Sequence, residues 1–164
     1  MNLPVRKRVR LKNYDYSSEG AYFITICTHN KQCIFSNIVG QGLAPAAVEL
    51  STLGEIANTE ILDLENRYKN IKINKYVIMP NHIHAIIIID TKTAGASPCP
   101  TLSDIICAFK SLVTRKCHIL NSKQNIWQSS FHDHIIRDEA DYLKIWNYID
   151  TNPQKWNEDC FYVE

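Results

Sequence analysis

The alternation of apolar and polar positions along the chain predicts four strands and three helices. Strands are indicated by short runs rich in aromatic and β-branched residues, such as AYFITIC over 21–27, and helices by apolar positions three and four residues apart. The predicted elements are, in order, a strand over 21–27 that resumes over 33–35, a helix over 51–67, strands over 71–79 and 82–90, a helix over 103–120, an interrupted strand over 126–136, and a helix over 138–152. Segments 37–45 and 91–100, which contain glycine or proline, are predicted loops.

A few residues mark the ends of the predicted helices. Ser103 and Asp138 are predicted N-caps, because their side-chain oxygens can accept from free backbone N–H groups. Pro153 disfavours helical geometry in the preceding residue, so the last helix should end near Asn152. Gly54 lies inside the first predicted helix and weakens that prediction.

The order of these elements indicates the fold class. Strand, helix, strand, strand, helix, strand, with one more helix at the end, is the order of the ferredoxin-like α+β fold. In that fold an antiparallel sheet carries two helices on one face, which leaves the other face free for a site or a further helix. We expect a single domain over 1–164, with a basic N-terminal arm over 1–13.

Composition and charge indicate the class of protein and a candidate binding segment. The chain has 164 residues, 45% of them hydrophobic and 21% charged, with a net charge of +1, which is typical of a folded globular domain. Its six cysteines form no C-x-x-C pair, and no secretory segment is evident, so we expect reduced thiols in a cytoplasmic protein. The longest apolar run, 85–89, is too short to cross a bilayer. Basic residues cluster in the arm at Arg6, Lys7, Arg8, Arg10 and Lys12.

Two histidines at the start of a predicted strand are the first candidate site. Because strand side chains alternate between faces, His82 and His84 share one face with Ile86. Two imidazoles spaced in this way can converge on a divalent metal. Taken alone, one H-x-H pair is a weak signal, and ordinary strand histidines are the alternative.

A second H-x-H pair, His132 and His134, lies in the last predicted strand. Both pairs together could form a four-histidine zinc site. Alternatively, the second pair consists of ordinary polar strand residues or lies near DNA.

The last predicted helix carries a tyrosine and an asparagine beside its apolar stripe. The buried stripe is predicted to contain Tyr142, Ile145, Trp146 and Ile149. Tyr148 and Asn152 are four residues apart, so they are neighbours to one side of that stripe. Tyr148 is either a boundary residue with its hydroxyl in solvent or a nucleophile, with the Asn152 amide oxygen as a third metal ligand.

Several stretches resemble the HUH single-tyrosine transposases, and more closely the REP-associated tyrosine transposases (RAYTs). HUH denotes histidine, a bulky hydrophobic residue and histidine, here His82-Ile83-His84. The matching stretches cover most of the chain: RLKNYDY and YFITICT near its start, YVIMPNHIHAIII in the middle, and TLSDIICAFKSLVTRK, WQSSFHDHIIRDEADY and WNYIDTNPQKW in its second half. The histidine pair just after MPN, and a tyrosine followed four residues later by asparagine and proline, are the most specific features.

The resemblance implies a catalytic assignment. His82 and His84 correspond to the HUH metal ligands, Tyr148 to the nucleophile, and Asn152 to the polar residue that completes the metal site. It also implies Mg²⁺ or Mn²⁺ as the metal, and single-stranded DNA with a small imperfect hairpin as the substrate, cleaved through a 5′-phosphotyrosine intermediate.

Several basic and aromatic residues are candidates for DNA contact. The N-terminal arm, Lys110, Arg115 and Lys144 are the predicted phosphate-binding groups, although basic residues that simply face solvent are the alternative. Trp127, Phe131 and Trp156 could stack on bases, but aromatic residues at the ends of elements more often belong to the core.

Three functions remain open from the sequence. The first is a transposase-like DNA transesterase. The second is a domesticated protein that binds DNA hairpins without cutting them, and the third is an unrelated histidine-based metallohydrolase. The sequence leaves open whether the protein is a monomer or a homodimer, and whether Tyr148 serves its own chain's histidines or a partner's.

Overall fold

The computed structural model of the chain describes residues 11, 14–40, 46–93, 99–120 and 124–163. The strands are β1 (Gly20–Cys27), β2 (Ser36–Val39), β3 (Ala47–Leu50), β4 (Ile71–Ile78), β5 (His82–Ile89) and β6 (His132–Ile136), and the helices are α1 (Thr52–Arg67), α2 (Leu102–Ile119) and α3 (Glu139–Thr151). Apart from Leu11, the predicted basic arm over 1–13 lies outside the described residues. No helix within the described ranges is both long and apolar enough to cross a membrane.

Four strands form the central sheet in the order β4-β5-β1-β6, with every neighbouring pair antiparallel. This order is that of the ferredoxin-like fold, so the predicted fold class is confirmed. In the strand register, Thr25 of β1 pairs with His84 on one side and with His132 on the other. Residues directly opposite each other point to the same face, so these three side chains share one face of the sheet.

The two faces of the sheet are covered by different helices. Helices α1 and α2 pack against the face that carries Ile83, Ala85, Ile87 and Ile89, which are all fully buried. Helix α3 packs on the opposite face, where Ile145 and Ile149 bury Ile86. His82 and His84 therefore lie on the face that α3 covers.

A short hairpin between β1 and α1 differs from the sequence prediction. The expected strand over 33–35 and the expected loop from residue 37 are wrong, because residues 36–39 pair with 47–50 as an antiparallel pair. Ser36 begins β2 and donates its hydroxyl to the Ile78 carbonyl oxygen over 2.9 Å, which fastens the hairpin to the end of β4.

Gly54 is explained by a close approach of backbone to helix α1. A Cβ atom at this position would lie 2.0 Å from the Phe35 carbonyl oxygen, so only glycine fits. Ser51 caps the helix by accepting from the Gly54 N–H, and its own N–H donates to the same Phe35 carbonyl. The residue that weakened the helix prediction is thus the one that lets α1 begin against the preceding loop.

Two element starts also differ from prediction. Helix α2 begins two residues earlier than expected: Thr101, not Ser103, is the N-cap and forms a capping box with Asp104. The last strand is shorter than the predicted 126–136, because only 132–136 pairs with β1. Trp127 makes an isolated bridge to Thr28.

The aromatic residues weighed as stacking groups are core residues. Trp127, Phe131 and Trp156 are each less than a tenth exposed. Trp127 and Phe131 pack in the α1–α2 core, and Trp156 lies within 6.0 Å of the His82 ring.

Helix α3 is tied to the sheet near both of its ends. Asp138 caps its first turn, as predicted. The His134 ring nitrogen lies 2.7 Å from the Asp141 carboxylate, which joins β6 to that turn. Lys75 of β4 pairs with Asp150 in the last turn. These contacts fix where the Tyr148 side chain points.

Candidate metal and nucleophile site

The paired histidines begin β5, directly after the turn at Pro80 and Asn81. Their rings are 4.4 Å apart between centroids, and the residues are 0% and 1% exposed. The alternation of the strand brings both imidazoles to one face, and the β1 strand and helix α3 close around them.

Each imidazole has a partner at its Nδ1 atom. His82 Nδ1 lies 2.9 Å from Asn81 Oδ1, and Asn81 Nδ2 donates to the Phe161 carbonyl oxygen, so the amide orientation makes Oδ1 the acceptor. His84 Nδ1 lies 2.8 Å from the Thr25 hydroxyl. Nδ1–H groups that donate to such partners leave the Nε2 lone pairs free, which is the arrangement of metal-binding histidines.

Helix α3 brings Tyr148 and Asn152 to this pair. The Tyr148 hydroxyl lies 3.3 Å from His84 Nε2 of the same chain. Asn152 is buried and donates through Nδ2 to Asp159 Oδ2 over 2.6 Å, which leaves its Oδ1 as the free end of the amide. The four residues singled out from the sequence thus meet in one chain.

Asp159 is a member of the site that the sequence analysis missed. One ligand atom from each of His82, His84 and Asp159 lies within 4.8 Å of the others. The Tyr148 hydroxyl also donates to Asp159 Oδ2 over 3.4 Å. No motif in the sequence marks this residue, since it follows the last helix in an irregular segment.

Two buried atoms test whether a metal fits here. His82 Nε2 and Asn152 Oδ1 are fully buried and have no hydrogen-bond partner among the described residues. Buried polar atoms are rarely left unpaired, because the lost hydration costs about 1–3 kcal/mol. Both atoms are acceptors and so could be satisfied by a cation. The residues present therefore fit a divalent metal.

A relative that aligns with nearly the whole chain shows the family to which the chain belongs. An uncharacterized protein of Haemophilus influenzae (strain ATCC 51907 / DSM 11121 / KW20 / Rd) is 36% identical over 174 residues, covering 97% of this chain and 94% of that protein. The chain belongs to the same family. No family model matches the sequence.

Two solved structures share the fold. A REP-associated tyrosine transposase bound to a REP hairpin is 22% identical with a TM-score of 0.64, over 90% of this chain and 73% of that one. A candidate transposase from Deinococcus radiodurans is 16% identical with a TM-score of 0.51, over 87% of this chain and 95% of that one. The chain is RAYT-like in fold. The resemblance seen in its motifs is thus confirmed at the level of the structure.

Burial sets the protonation states of the two histidines in this site. Burial lowers the pKa of His82 to about 3, although the nearby Asn152 amide acts in the other direction. It also lowers the pKa of His84 well below its usual value, and the neighbouring His82 adds to this effect. Both rings are therefore neutral at pH 7, as metal ligation requires. Burial, together with the negative charge of Asp159, raises the pKa of Tyr148.

The chain's C-terminal segment covers the histidines. The Phe161 ring lies 4.7 Å from the His82 ring, and the Phe161 N–H donates to Asp159 Oδ1 over 2.7 Å. Lys31 donates its ammonium to the Cys160 carbonyl oxygen over 3.1 Å. Together with Asp159, these contacts cover the histidine pair.

The second H-x-H pair does not join the first. His134 is bonded to Asp141, His132 is exposed, and the metal-type cluster found among the described residues contains neither of them. The four-histidine zinc site is therefore wrong. The reason is that β1 lies between β5 and β6 in the sheet and keeps the two pairs two strands apart.

The predicted phosphate-binding residues lie in different surroundings. Lys110 is half-buried and donates to the Gln128 and Ser130 carbonyl oxygens over 2.6 and 3.2 Å, so it supports that segment. Arg115 is exposed on α2, and Lys144 is exposed on α3 one turn before Tyr148.

Proposed function

We propose that this protein is a metal-dependent DNA transesterase of the transposase type, which cuts single-stranded DNA beside a small hairpin. The observation that carries this proposal is the position of the Tyr148 hydroxyl, 3.3 Å from His84 Nε2 and next to two buried acceptors without partners. The hairpin as substrate is supported by the fold shared with a transposase that binds a REP hairpin.

The residues that would hold the metal are His82, His84 and Asn152, with Asp159 as a further carboxylate ligand. A divalent cation bound there, Mg²⁺ or Mn²⁺, would polarise the scissile phosphate and neutralise its charge. Two nitrogen and two oxygen donors suit several divalent ions. Thr25 and Asn81 would hold the two rings so that each Nε2 faces the ion.

Tyr148 would act as the nucleophile. Its oxygen forms a bond to phosphorus, and the bond from phosphorus to the 3′ oxygen breaks. The products are a 5′-phosphotyrosine and a free 3′-hydroxyl. Because its pKa is raised, the phenol is protonated at neutral pH and must give up its proton during attack. The Asp159 carboxylate, which accepts the phenol's hydrogen bond, is placed to receive that proton.

The closed state of the site sets a condition on this chemistry. Tyr148 is 40% exposed, but both histidines are fully buried, and the Phe161 ring lies 4.7 Å from the His82 ring. A scissile phosphate that reaches the metal must therefore shift the Phe161 ring away from His82, while Asp159 stays in the site.

The test is covalent capture of DNA. Wild-type protein is mixed with Mn²⁺ and a panel of labelled single strands that contain imperfect hairpins, and a protein–DNA adduct is sought on a denaturing gel. We expect an adduct with wild type and none with Tyr148→Phe. Tyr142→Phe is the matched control on the same helix, since Tyr142 bonds to Asn74 and should leave the adduct intact. An adduct that survives Tyr148→Phe would contradict the proposal.

The second candidate function is hairpin binding without cleavage. The complete burial of both histidines favours it, because a site in this state admits no phosphate. In this case hairpins would bind with the same affinity with and without Mn²⁺. No adduct would form even with Phe161→Ala, which opens the cover.

The proposed site is complete within one chain. Tyr148 lies beside the histidines of its own polypeptide, so a monomer would contain every group that the reaction needs. A homodimer would hold two such sites.

A further inference from the structure

A cavity lies beside the histidine pair, and we call it the flanking cleft. Its volume is about 610 Å³, and it is lined by segments 27–31 and 125–129 together with His132 and Phe161. This volume falls within the range of sites that bind small organic ligands. The cleft shares Phe161 with the cover of the metal site.

The walls of the flanking cleft are held rigidly by backbone hydrogen bonds. The His29 N–H donates to the Ile126 carbonyl oxygen over 2.9 Å, and the Gln128 N–H donates to the Cys27 carbonyl oxygen over 3.0 Å. These bonds extend the β1 pairing beyond the sheet, and the Thr28–Trp127 bridge lies between them. The cleft is therefore present before any ligand binds.

One wall of the cleft carries backbone strain. Asn30 and Lys31 have positive φ angles of 52° and 55°, a conformation that asparagine tolerates but that is unfavourable for lysine. Strained backbone of this kind concentrates at functional sites and costs about 1–3 kcal/mol per residue. Here both residues line the cleft.

The same wall is connected to the metal site. Asn81 Nδ2 donates to the Lys31 carbonyl oxygen over 3.3 Å, and Asn81 Oδ1 lies against His82 Nδ1. A ligand that contacts Lys31 is therefore two hydrogen bonds away from the His82 ring.

Three amide side chains of the cleft are available to bind a ligand. Among the described residues, the side chains of Asn30, Asn125 and Gln128 have no hydrogen-bond partner. An amide offers a donor and an acceptor in one plane, which is the pattern that reads the edge of a nucleic-acid base. Phe161 supplies an aromatic ring on which a base can stack, and Lys31 a positive charge near a phosphate.

From these features we infer that the flanking cleft binds an unpaired nucleotide next to the scissile phosphate and selects its base. The inference rests on the proposed function, because it takes the substrate to be single-stranded DNA. Asn30, Asn125 and Gln128 read the base, and Lys31 contacts its phosphate. The cleft thus determines where the strand is cut relative to the hairpin.

The test is an NMR titration of the ¹⁵N-labelled full-length chain with the dinucleotides d(ApA), d(CpC), d(GpG) and d(TpT). We expect backbone shifts in segments 28–31 and 125–132, with affinities that differ between the bases. Asn125→Ala and Gln128→Ala should each lower the affinity for the preferred dinucleotide by about three- to tenfold, the equivalent of one net hydrogen bond. Asn66→Ala on α1, on the other side of the sheet, should change nothing. Equal affinities for all four dinucleotides, or no shifts in these segments, would overturn the inference.

The outcome can be separated from that of the proposed function. Dinucleotide binding needs neither the phenol nor the metal, so the titration is repeated with Tyr148→Phe in EDTA and should give the same result. Selective cleft binding without covalent adduct formation would support the inference and contradict the transesterase. Adduct formation without NMR shifts in the cleft segments would contradict the inference and support the transesterase.

Discussion

At the scale of single residues, the site depends on keeping two imidazoles neutral in a buried place. Burial lowers the pKa of both rings, to about 3 for His82 and well below the usual value for His84. Asn81 and Thr25 hold their Nδ1 atoms. The same burial that prepares the rings to bind a metal makes the folded state sensitive to acid.

The first prediction concerns stability against pH in metal-free protein. In the unfolded chain both histidines take up a proton near pH 6.5, whereas the folded protein resists protonation to far lower pH. The free energy of unfolding is therefore fully retained above pH 6.5 and falls as the pH drops below it, by about 1.4 kcal/mol per pH unit for each ring. Urea unfolding at pH 7, 6 and 5 measures this slope. The double variant with His82→Gln and His84→Gln should flatten this slope, whereas the control His118→Gln at an exposed position should not. An unchanged slope in the double variant would show that the two buried histidines do not cause the acid sensitivity.

The second prediction concerns the partner of His84. Thr25→Val keeps the side-chain volume but removes the hydroxyl at Nδ1, so the ring is no longer held with Nε2 toward the metal. We expect Mn²⁺ affinity to fall about 10- to 100-fold, as measured by isothermal titration calorimetry. Thr59→Val, which removes a hydroxyl bonded to the Glu55 carbonyl oxygen on α1, is the control. Equal affinities in the two variants would exclude a role for Thr25.

Some of these site residues could be identified from the sequence, and others could not. His82, His84, Tyr148 and Asn152 stand at fixed spacings within a strand and a helix, so periodicity and motif together identified them. Asp159 could not be found in this way, because it reaches the site only through the reversal of the chain after Pro153. Its role depends on tertiary contacts that have no local pattern.

At the scale of the elements, helix α3 has to be placed accurately, since it carries Tyr148. It is fastened to β4 by Lys75, which pairs with Asp150 and lies 4.8 Å from the centre of the Trp146 ring. At its other end it is fastened to β6 by His134. Partly exposed contacts of this kind add little stability, but they fix an orientation.

The third prediction separates position from stability. Lys75→Met keeps the apolar stem and removes the charge, so the free energy of unfolding should fall by only about 0.5–1 kcal/mol. The rate of adduct formation should fall by about tenfold or more, because a small displacement of a reacting group is costly. Lys92→Met, which removes a surface pair with Glu19, is the control. Adduct formation at the wild-type rate with Lys75→Met would show that the pair does not position α3.

The fourth prediction concerns the start of α1. Replacing a helical glycine with alanine normally stabilises a helix, but Gly54→Ala would drive a methyl group into the Phe35 backbone. We expect it to lower the free energy of unfolding by about 2–3 kcal/mol, as measured by urea unfolding. Glu55→Ala at the exposed neighbouring position should cost far less. A stabilising effect of Gly54→Ala would show that the backbone at Phe35 can move to accommodate the methyl group.

The elements themselves were predicted well where their pattern was strong. β1, β4, β5 and all three helices lie close to their predicted bounds, because their apolar positions repeat regularly over eight or more residues. β2 and β3 were missed because four-residue strands on either side of a glycine-containing segment show no such repeat. Thr101 was passed over as a cap because Ser103 is equally suited to the role by residue type.

At the scale of the whole molecule, the order of the elements was sufficient to give the fold, and the sequence could not show how the site is closed. Residues 159–161 fold back over the histidine pair, and their contacts to Asn81 and Lys31 join residues far apart in the chain. Such contacts leave no trace in hydrophobic periodicity. They nevertheless decide whether substrate can enter.

The fifth prediction tests this cover without relying on activity. Diethyl pyrocarbonate modifies accessible imidazoles, so His82 and His84 should react far more slowly than exposed His118 in the wild-type protein. Phe161→Ala removes the ring above His82 and should raise the modification rate of both site histidines, while that of His118 stays the same. Mass spectrometry of peptides measures each rate. Equal rates in wild type and variant would show that Phe161 does not close the site.

Under the proposed function, the placement of Tyr148 beside the histidines of its own chain limits the stoichiometry of strand exchange. One polypeptide would offer one phenol to the metal, so it would be joined to no more than one 5′ end at any moment. A DNA segment has two boundaries, and freeing it requires a cut at each. Two molecules would then act together on one segment, or a single molecule would discharge its first end before it captures the second.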